Sequence, residues 1–336
     1  MQKGTLYETR FQLIVNSGYL GRSDGGVQQA ISGGARYHPL PNHADAKADK
    51  AAACTSAIFS NGGHGGDRQT WHISGTMGEM IMNTPHLSYS SISQLMMCPK
   101  QWYITRTYGI YTPQNDHFAF GTAVHRVIQH EVITGWKSTT EVLRQQFDTE
   151  YRQAWGENYE TCHTAKNYAY FDSLITNELS MTLLRTFTVS ESDQIERKIT
   201  FYAPGVPVPV IGYIDILQDN GVPVDIKTSS TEWTTERAED ELQPLYYLTG
   251  LTAAGDDRHA GQFIHLVIQK QGENDCCVYM VQTTRSDWTQ QVNNIVRRAW
   301  EMMQLQVWWS VDPPVPACGT CPAKAQEICA RIKSSP

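Results

Sequence analysis

Ile211-Gly-Tyr-Ile-Asp215-Ile-Leu-Gln-Asp219-Asn-Gly221-Val-Pro-Val-Asp225-Ile-Lys227-Thr228 reads as two strands joined by a tight turn at Asp219-Asn220-Gly221. The first strand carries Asp215 at its inner end, and the second carries Asp225 and Lys227. Strand side chains alternate, so Asp225 and Lys227 share one side while Val224 and Ile226 take the other. Two carboxylates and an ammonium then converge on one spot of a sheet whose other face is apolar. Such a cluster is costly to assemble unless a cation sits among the carboxylates. A plain hairpin with a surface ion pair is the competing reading of this stretch.

Outward from the hairpin, periodicity and stop signals predict the other elements. A helix starts at a Ser90 or Ser91 cap and runs to about Tyr108, bent or broken at Cys98-Pro99. Further helices are expected at about 119–134, 139–155 and 166–188. Strands follow at about 194–202, 208–217 and 222–228, then a helix at 236–252, strands at 262–271 and 276–284, and a long helix at 286–308. Helices first and then a βββαββα order define an α/β fold with an N-terminal helical layer. His125 lies four residues after Gly121, and Tyr247 four after Gln243, so each pair shares a helix face.

The chain has 336 residues, 18% charged and 40% apolar, a globular composition with length enough for a substantial core. It has no apolar run long enough to span a membrane and no basic-then-apolar leader, so neither membrane span nor secretory signal is expected. No Gly-x-x-x-x-Gly-Lys-Ser/Thr loop occurs, which excludes a P-loop motor. The net charge of −7 means that any nucleic acid must be met by a local basic groove. Candidates for that surface are Lys100, Trp102, Tyr103 and Arg106, with Arg285, Arg297 and Arg298 on the last long helix. Residues 1–83 differ from the rest: rich in Gly, Ala, His, Asn and Ser, without sustained period, they read as a low-complexity or disordered extension. Met77, Met80 and Met82 offer alternative starts, which leaves one patterned domain over 84–336.

Of eight cysteines, Cys318-x-x-Cys321 and Cys329 cluster near the C-terminus, and Cys98 beside Pro99 is the natural fourth. Two-residue spacing lets Cys318 and Cys321 reach one metal centre, and spacing alone suits zinc or an iron–sulfur cluster equally. Cys54, Cys162, Cys276 and Cys277 read as ordinary residues. Nothing in the sequence suggests an oxidising compartment.

Several sparse features stand in order: Cys98-Pro99, Gly121-x-x-x-His125, Glu196, Gly212-Tyr213-Ile214-Asp215, Asp225-Ile226-Lys227-Thr228, Gln243-x-x-x-Tyr247 and Cys318-x-x-Cys321 with Cys329. This set resembles the RecB-type nucleases of the PD-(D/E)XK superfamily, whose restriction-endonuclease-like core is a mixed central sheet flanked by helices. More narrowly, it resembles the branch clasped by a four-cysteine iron–sulfur cluster, which includes AddB-type and CRISPR-associated exonucleases. The resemblance covers about Ser88 to Arg331; the seven residues between Cys321 and Cys329 make a longer gap than that branch shows.

The resemblance implies a Mg²⁺- or Mn²⁺-dependent DNA exonuclease acting in recombination, repair or CRISPR-type processing. It implies His125, Asp215, Asp225 and the Ile226 carbonyl as metal ligands. Lys227 would act at the attacking water, Gln243 on Lys227 or a phosphate, and Tyr247 along the DNA path, with Glu196 supporting the strand layer. A 4Fe–4S cluster would be held by Cys98, Cys318, Cys321 and Cys329. Implied partners are DNA, as single strands or duplex ends, and helicase, recombination or CRISPR proteins, in the cytoplasm. Two other readings fit the same residues: a catalytically silent cluster-bearing DNA-binding scaffold, and a zinc-clasped endonuclease.

Overall fold

In the computed structural model, which describes residues 85–305 and 321–332, the hairpin forms as read. Its strands are β2 (Val210–Leu217) and β3 (Pro223–Ser229), with Gly221 at φ +83° in the turn and the Asn220 side chain accepting from the Val222 amide. They belong to a five-stranded sheet in the order β1-β2-β3-β4-β5, with β1 at Ile195–Phe201, β4 at Gln262–Gln271 and β5 at Asp275–Thr284. Neighbours are antiparallel except β3 and β4, which are parallel. A parallel pair needs a crossover. Here it is made by α8 (Thr235–Asp240) and α9 (Gln243–Ala253), two helices where the sequence predicts one.

The expected N-terminal helix is two: α1 (Tyr89–Met97) and α2 (Pro99–Tyr108). Cys98 between them is extended, and Pro99 opens the second helix, where its missing N–H has no cost. The helix α3 (Asp116–Thr134) starts earlier than predicted, because Asn115 caps it through the amides of His117 and Phe118. Then follow α4 (Thr140–Trp155), a short α5 (Tyr159–Cys162), α6 (Ala165–Thr176) and α7 (Glu178–Leu184). The predicted 166–188 helix breaks at Asn177, whose side chain accepts from Ser180 and restarts the chain as α7. The last helices are α10 (Trp288–Gln304) and α11 (Ala323–Ile332).

One face of the sheet carries α3, α6 and α7, with Phe120, Phe147, Phe171 and Tyr151 packed over Ile216, Val224, Ile226 and Leu266. The other carries α8 and α9, where Tyr247 and Leu251 meet Ile199, Ile214 and Phe263. Beyond α9, α10 and α1 share a second core with α2 and α11. That core claims Trp102 (5% exposed) and Tyr103 (7%), and Lys100 is equally buried (4%). These three are therefore not the surface platform the sequence suggests; the Trp102 indole donates to Ser91 Oγ at 3.0 Å instead. Arg106, Arg297 and Arg298 are exposed. Arg285 is half-buried, donating to the backbone carbonyls of Glu239 and Glu241. No helix among the described residues is long and apolar enough to cross a membrane. Residues 1–83 and Cys318 lie outside the described residues, and the expectations placed on them are untouched by the fold.

Candidate active site

The sheet is creased where the carboxylates gather. Residues two apart on a regular strand share a face. Yet on β2, Ile214 packs beneath α9 while Ile216 packs beneath α3. On β1, Ile199 packs under α9 while Ile195 packs on the α3 side. Both strands switch sides at one level, and the ladder passes from Ile195–Ile216 to Arg197–Ile214 without pairing Glu196 and Asp215. Glu196 is the cause on β1: its φ of +50° is left-handed, a conformation L residues rarely adopt.

The same level is where β2 and β3 part. They pair only at Ile216–Val224 and Leu217–Pro223. Beyond that point the Ile226 amide would lack a partner, and Asp215 Oδ2 accepts from it at 2.7 Å. The split opens the sheet to both helical layers. From the α3 side, His125 Nδ1 comes within 3.6 Å of Asp215 Oδ2. From the α9 side, Gln243 Oε1 accepts from Lys227 Nζ at 2.7 Å, and Gln243 Nε2 donates to the Tyr247 hydroxyl at 2.6 Å. Lys227 Nζ is also 2.8 Å from Asp225 Oδ2. That contact is an ion pair without hydrogen-bond alignment, so the oxygen has no hydrogen-bond partner.

Two glycines permit these approaches. A Cβ on Gly121 would lie 2.9 Å from Thr228 Oγ1, so with this threonine in place glycine lets α3 seat closely on β3 and bring His125 to the split. A Cβ on Gly250 would lie 2.5 Å from Ile199, which fixes α9 equally tightly on β1.

Burial dominates the electrostatics. It pushes Asp215 up to about 7, with Glu196 adding repulsion and the Ile226 amide and Lys227 opposing. It pushes Asp225 up to about 6, against the pull of Lys227 and with repulsion from Asp215. His125 is driven down to about 4, mainly by desolvation, so its imidazole is neutral near pH 7 with a lone pair to give. The Tyr247 hydroxyl is raised by burial and by both aspartates, and stays protonated. Hard oxygen donors, a neutral histidine and two carboxylates that resist ionisation together are what a divalent cation would satisfy. Side chains and backbone thus fit such an ion chemically. Among the described residues, however, no three His, Cys, Asp or Glu side chains already stand in metal-holding geometry.

The sequence-predicted residues Asp215, Asp225, Ile226, Lys227, His125, Gln243 and Tyr247 are thus brought together. Two neighbours are missing from that prediction. Gln129, one helical turn beyond His125, donates to Glu196 Oε1 at 2.6 Å; the four-residue spacing from His125 was the available signal. His265 sits beside Asp225 in the parallel register, fully buried, with neither ring nitrogen bonded. Of the four cysteines, Cys321 and Cys329 pack against the core that α2 shares, and Cys318 lies outside the described residues. Cys98 caps α2 through the Gln101 amide at 3.5 Å, and α2 packs against α11, which carries Cys329 and follows Cys321. Cys276 is buried on β5 and Cys277 half-buried.

The sequence model of the PD-(D/E)XK nuclease superfamily matches residues 86–329, and the chain belongs to that superfamily. Its mixed sheet flanked by helices is the architecture such a core requires. Among solved structures, a candidate exonuclease from Eubacterium rectale aligns at 13% identity and TM-score 0.47, over 79% of this chain and 94% of that one. The structure of SSO0001 aligns at 12% identity and TM-score 0.31, over 74% and 94%. No curated protein matches the chain.

Proposed function

We propose that this nuclease-family chain is a divalent-cation-dependent deoxyribonuclease working from DNA ends, an exonuclease of recombination, repair or CRISPR-type processing. The observation that carries the catalytic part is the split between β2 and β3, where two buried carboxylates and the Lys227–Gln243–Tyr247 chain converge. The end-directed part rests on the ordered motif set. Asp215, Asp225, His125 and the Ile226 carbonyl would hold Mg²⁺ or Mn²⁺. When bound, that ion supplies positive charge opposite the scissile phosphate and acidifies water beside it. Lys227 holds the attacking water and a phosphate oxygen from the opposite side, with Gln243 fixing the direction of its Nζ. The Tyr247 hydroxyl accepts from Gln243 Nε2 and so orients the Gln243 amide toward Lys227. In-line attack of water on phosphorus breaks the P–O3′ bond and leaves a 5′-phosphate and a 3′-hydroxyl.

The test uses end-labelled and internally labelled single and double strands with Mg²⁺, Mn²⁺ or chelator. Mononucleotide release that needs the cation and vanishes in Asp225→Asn supports the reading; unchanged cleavage by that variant overturns it. Internal cuts without end dependence would replace exonuclease by endonuclease.

The narrower branch reading adds a structural 4Fe–4S cluster on Cys98, Cys318, Cys321 and Cys329. The packing of α2 on α11 supports it, since that contact places the Cys98 helix beside the Cys329 helix. Closing so long a loop would stabilise the fold by about 4–5 kcal/mol if it acts as a cross-link. Cys98→Ala should therefore lose iron and melt roughly 10 °C lower. Full iron in that variant, or equal iron loss in Cys276→Ala, removes the cluster from the proposal.

A further inference from the structure

Glu196 stands in a conformation that only a specific demand would keep. Its left-handed backbone creases β1, yet glycine would adopt φ +50° without strain. Its side chain is exposed at the mouth of the split, with Oε1 bound by the Gln129 amide and Oε2 without a hydrogen bond among the described residues. Gln129 is itself buried and rides on the turn of α3 after His125. Glu196 faces Asp215 across the unpaired step of the ladder, and its charge is felt by Asp215, His125 and Tyr247. Like charges opposed across a strand pair repel. A second observation concerns Asp225: 2% exposed, it carries an oxygen whose near neighbour is the Lys227 ammonium, 2.8 Å away and out of hydrogen-bond alignment.

We propose that Glu196 is a positioning residue of the cation site, a third carboxylate that acts from outside the direct ligand set. It adds negative charge at the mouth and, through Gln129, fixes the α3 turn that presents His125. It is not placed among the ligands themselves, because its side chain is exposed and one of its oxygens is taken up by the Gln129 amide. The inference rests on Asp215 and Asp225 being the ligands.

Mn²⁺ binding to the full chain, measured by calorimetry and by electron paramagnetic resonance, tests it without turnover. Glu196→Gln keeps an acceptor for Gln129 and removes the charge; it should weaken Mn²⁺ binding about tenfold and leave the metal-free melting temperature unchanged. Glu196→Gly should weaken binding as much or more while melting no lower than wild type, since the crease suits glycine. Gln129→Ala, with the charge kept, should weaken it less. Wild-type Mn²⁺ affinity in Glu196→Gln overturns the inference, as does a drop in the melting temperature of Glu196→Gly with affinity intact. Asp225→Asn separates the two readings: if it binds Mn²⁺ like wild type, the ligand assignment itself has failed.

Discussion

The strand β3 treats its two neighbours differently. With β4 it pairs over six consecutive residues, Val224 to Ser229; with β2 it pairs over two. The continuous side is apolar and buried, with Leu266 and Ile268 at 0% exposure. The interrupted side holds Asp215 and receives His125, while on the continuous side His265 is buried beside Asp225. Backbone bonds given up between β2 and β3 are replaced by a side chain, Asp215 on the Ile226 amide. A sheet can therefore host buried charge without losing its core, provided the missing ladder lies on one side of one strand.

The sharpest way to break this contrast is to substitute on both sides. Asp225→Ala should lower cleavage by roughly 10³ or more, because several kcal/mol of charge stabilisation go with a ligand. It should fold normally. Leu266→Ala should cost about 2–5 kcal/mol in denaturant unfolding yet cleave normally per folded molecule. If the two variants show the same pattern, the split is not a functional division.

A smaller effect is expected from the glycine that seats α3. Gly121→Ala pushes against Thr228 Oγ1, and an ångström of displacement at His125 can lower the rate roughly 10- to 100-fold. Thr228→Ala in the same chain should restore most of the loss. A double variant no better than Gly121→Ala would mean that His125 is not positioned through this contact.

Smaller still is the pH dependence of the metal-free protein. Asp215 and Asp225 have folded values raised to about 7 and about 6, above ordinary carboxylates. Groups raised on folding favour the folded state when protonated, and that contribution fades as pH climbs from about 4 to about 7. His125, lowered to about 4, works oppositely, losing stability as pH falls below its ordinary value. Comparison with Asp215→Asn/Asp225→Asn cancels the histidine term. Relative to that variant, wild type should melt progressively lower as pH rises from 4 to 7, and Mn²⁺ at pH 8 should raise wild type alone. Parallel melting curves across that range would contradict the burial of both charges.

The least effect is expected outside both regions. The superfamily match begins at residue 86 and residues 1–83 lack an apolar period, so a chain starting at Met82 should keep Mn²⁺-dependent cleavage within about twofold of the whole. An inactive truncation would make residues 1–81 part of the working domain.

Much of the site was legible because its parts are local. Asp-Asn-Gly announces the turn, period two places Asp225 with Lys227, and four-residue spacing pairs Gln243 with Tyr247. The crease was not legible: nothing in Ile-Glu-Arg marks a left-handed glutamate, whose backbone is set by tertiary demands and not by propensity. The surface role given to Lys100, Trp102 and Tyr103 failed for a related reason. Aromatics beside a cation look the same on an exposed face and under a helix, and α11, more than two hundred residues later, covers them.

That late arrival has a temporal side. A ribosome adding roughly 5–20 residues per second delivers α11 on the order of 10–45 s after α2. In that interval the apolar side of α2 has α1 beside it, while the β1, β2, α9 and α10 residues of the same core arrive later. The nascent chain therefore carries Trp102 and Tyr103 without their α11 cover through most of its own synthesis, and among the described residues the finishing event of maturation is the docking of α11 onto α2.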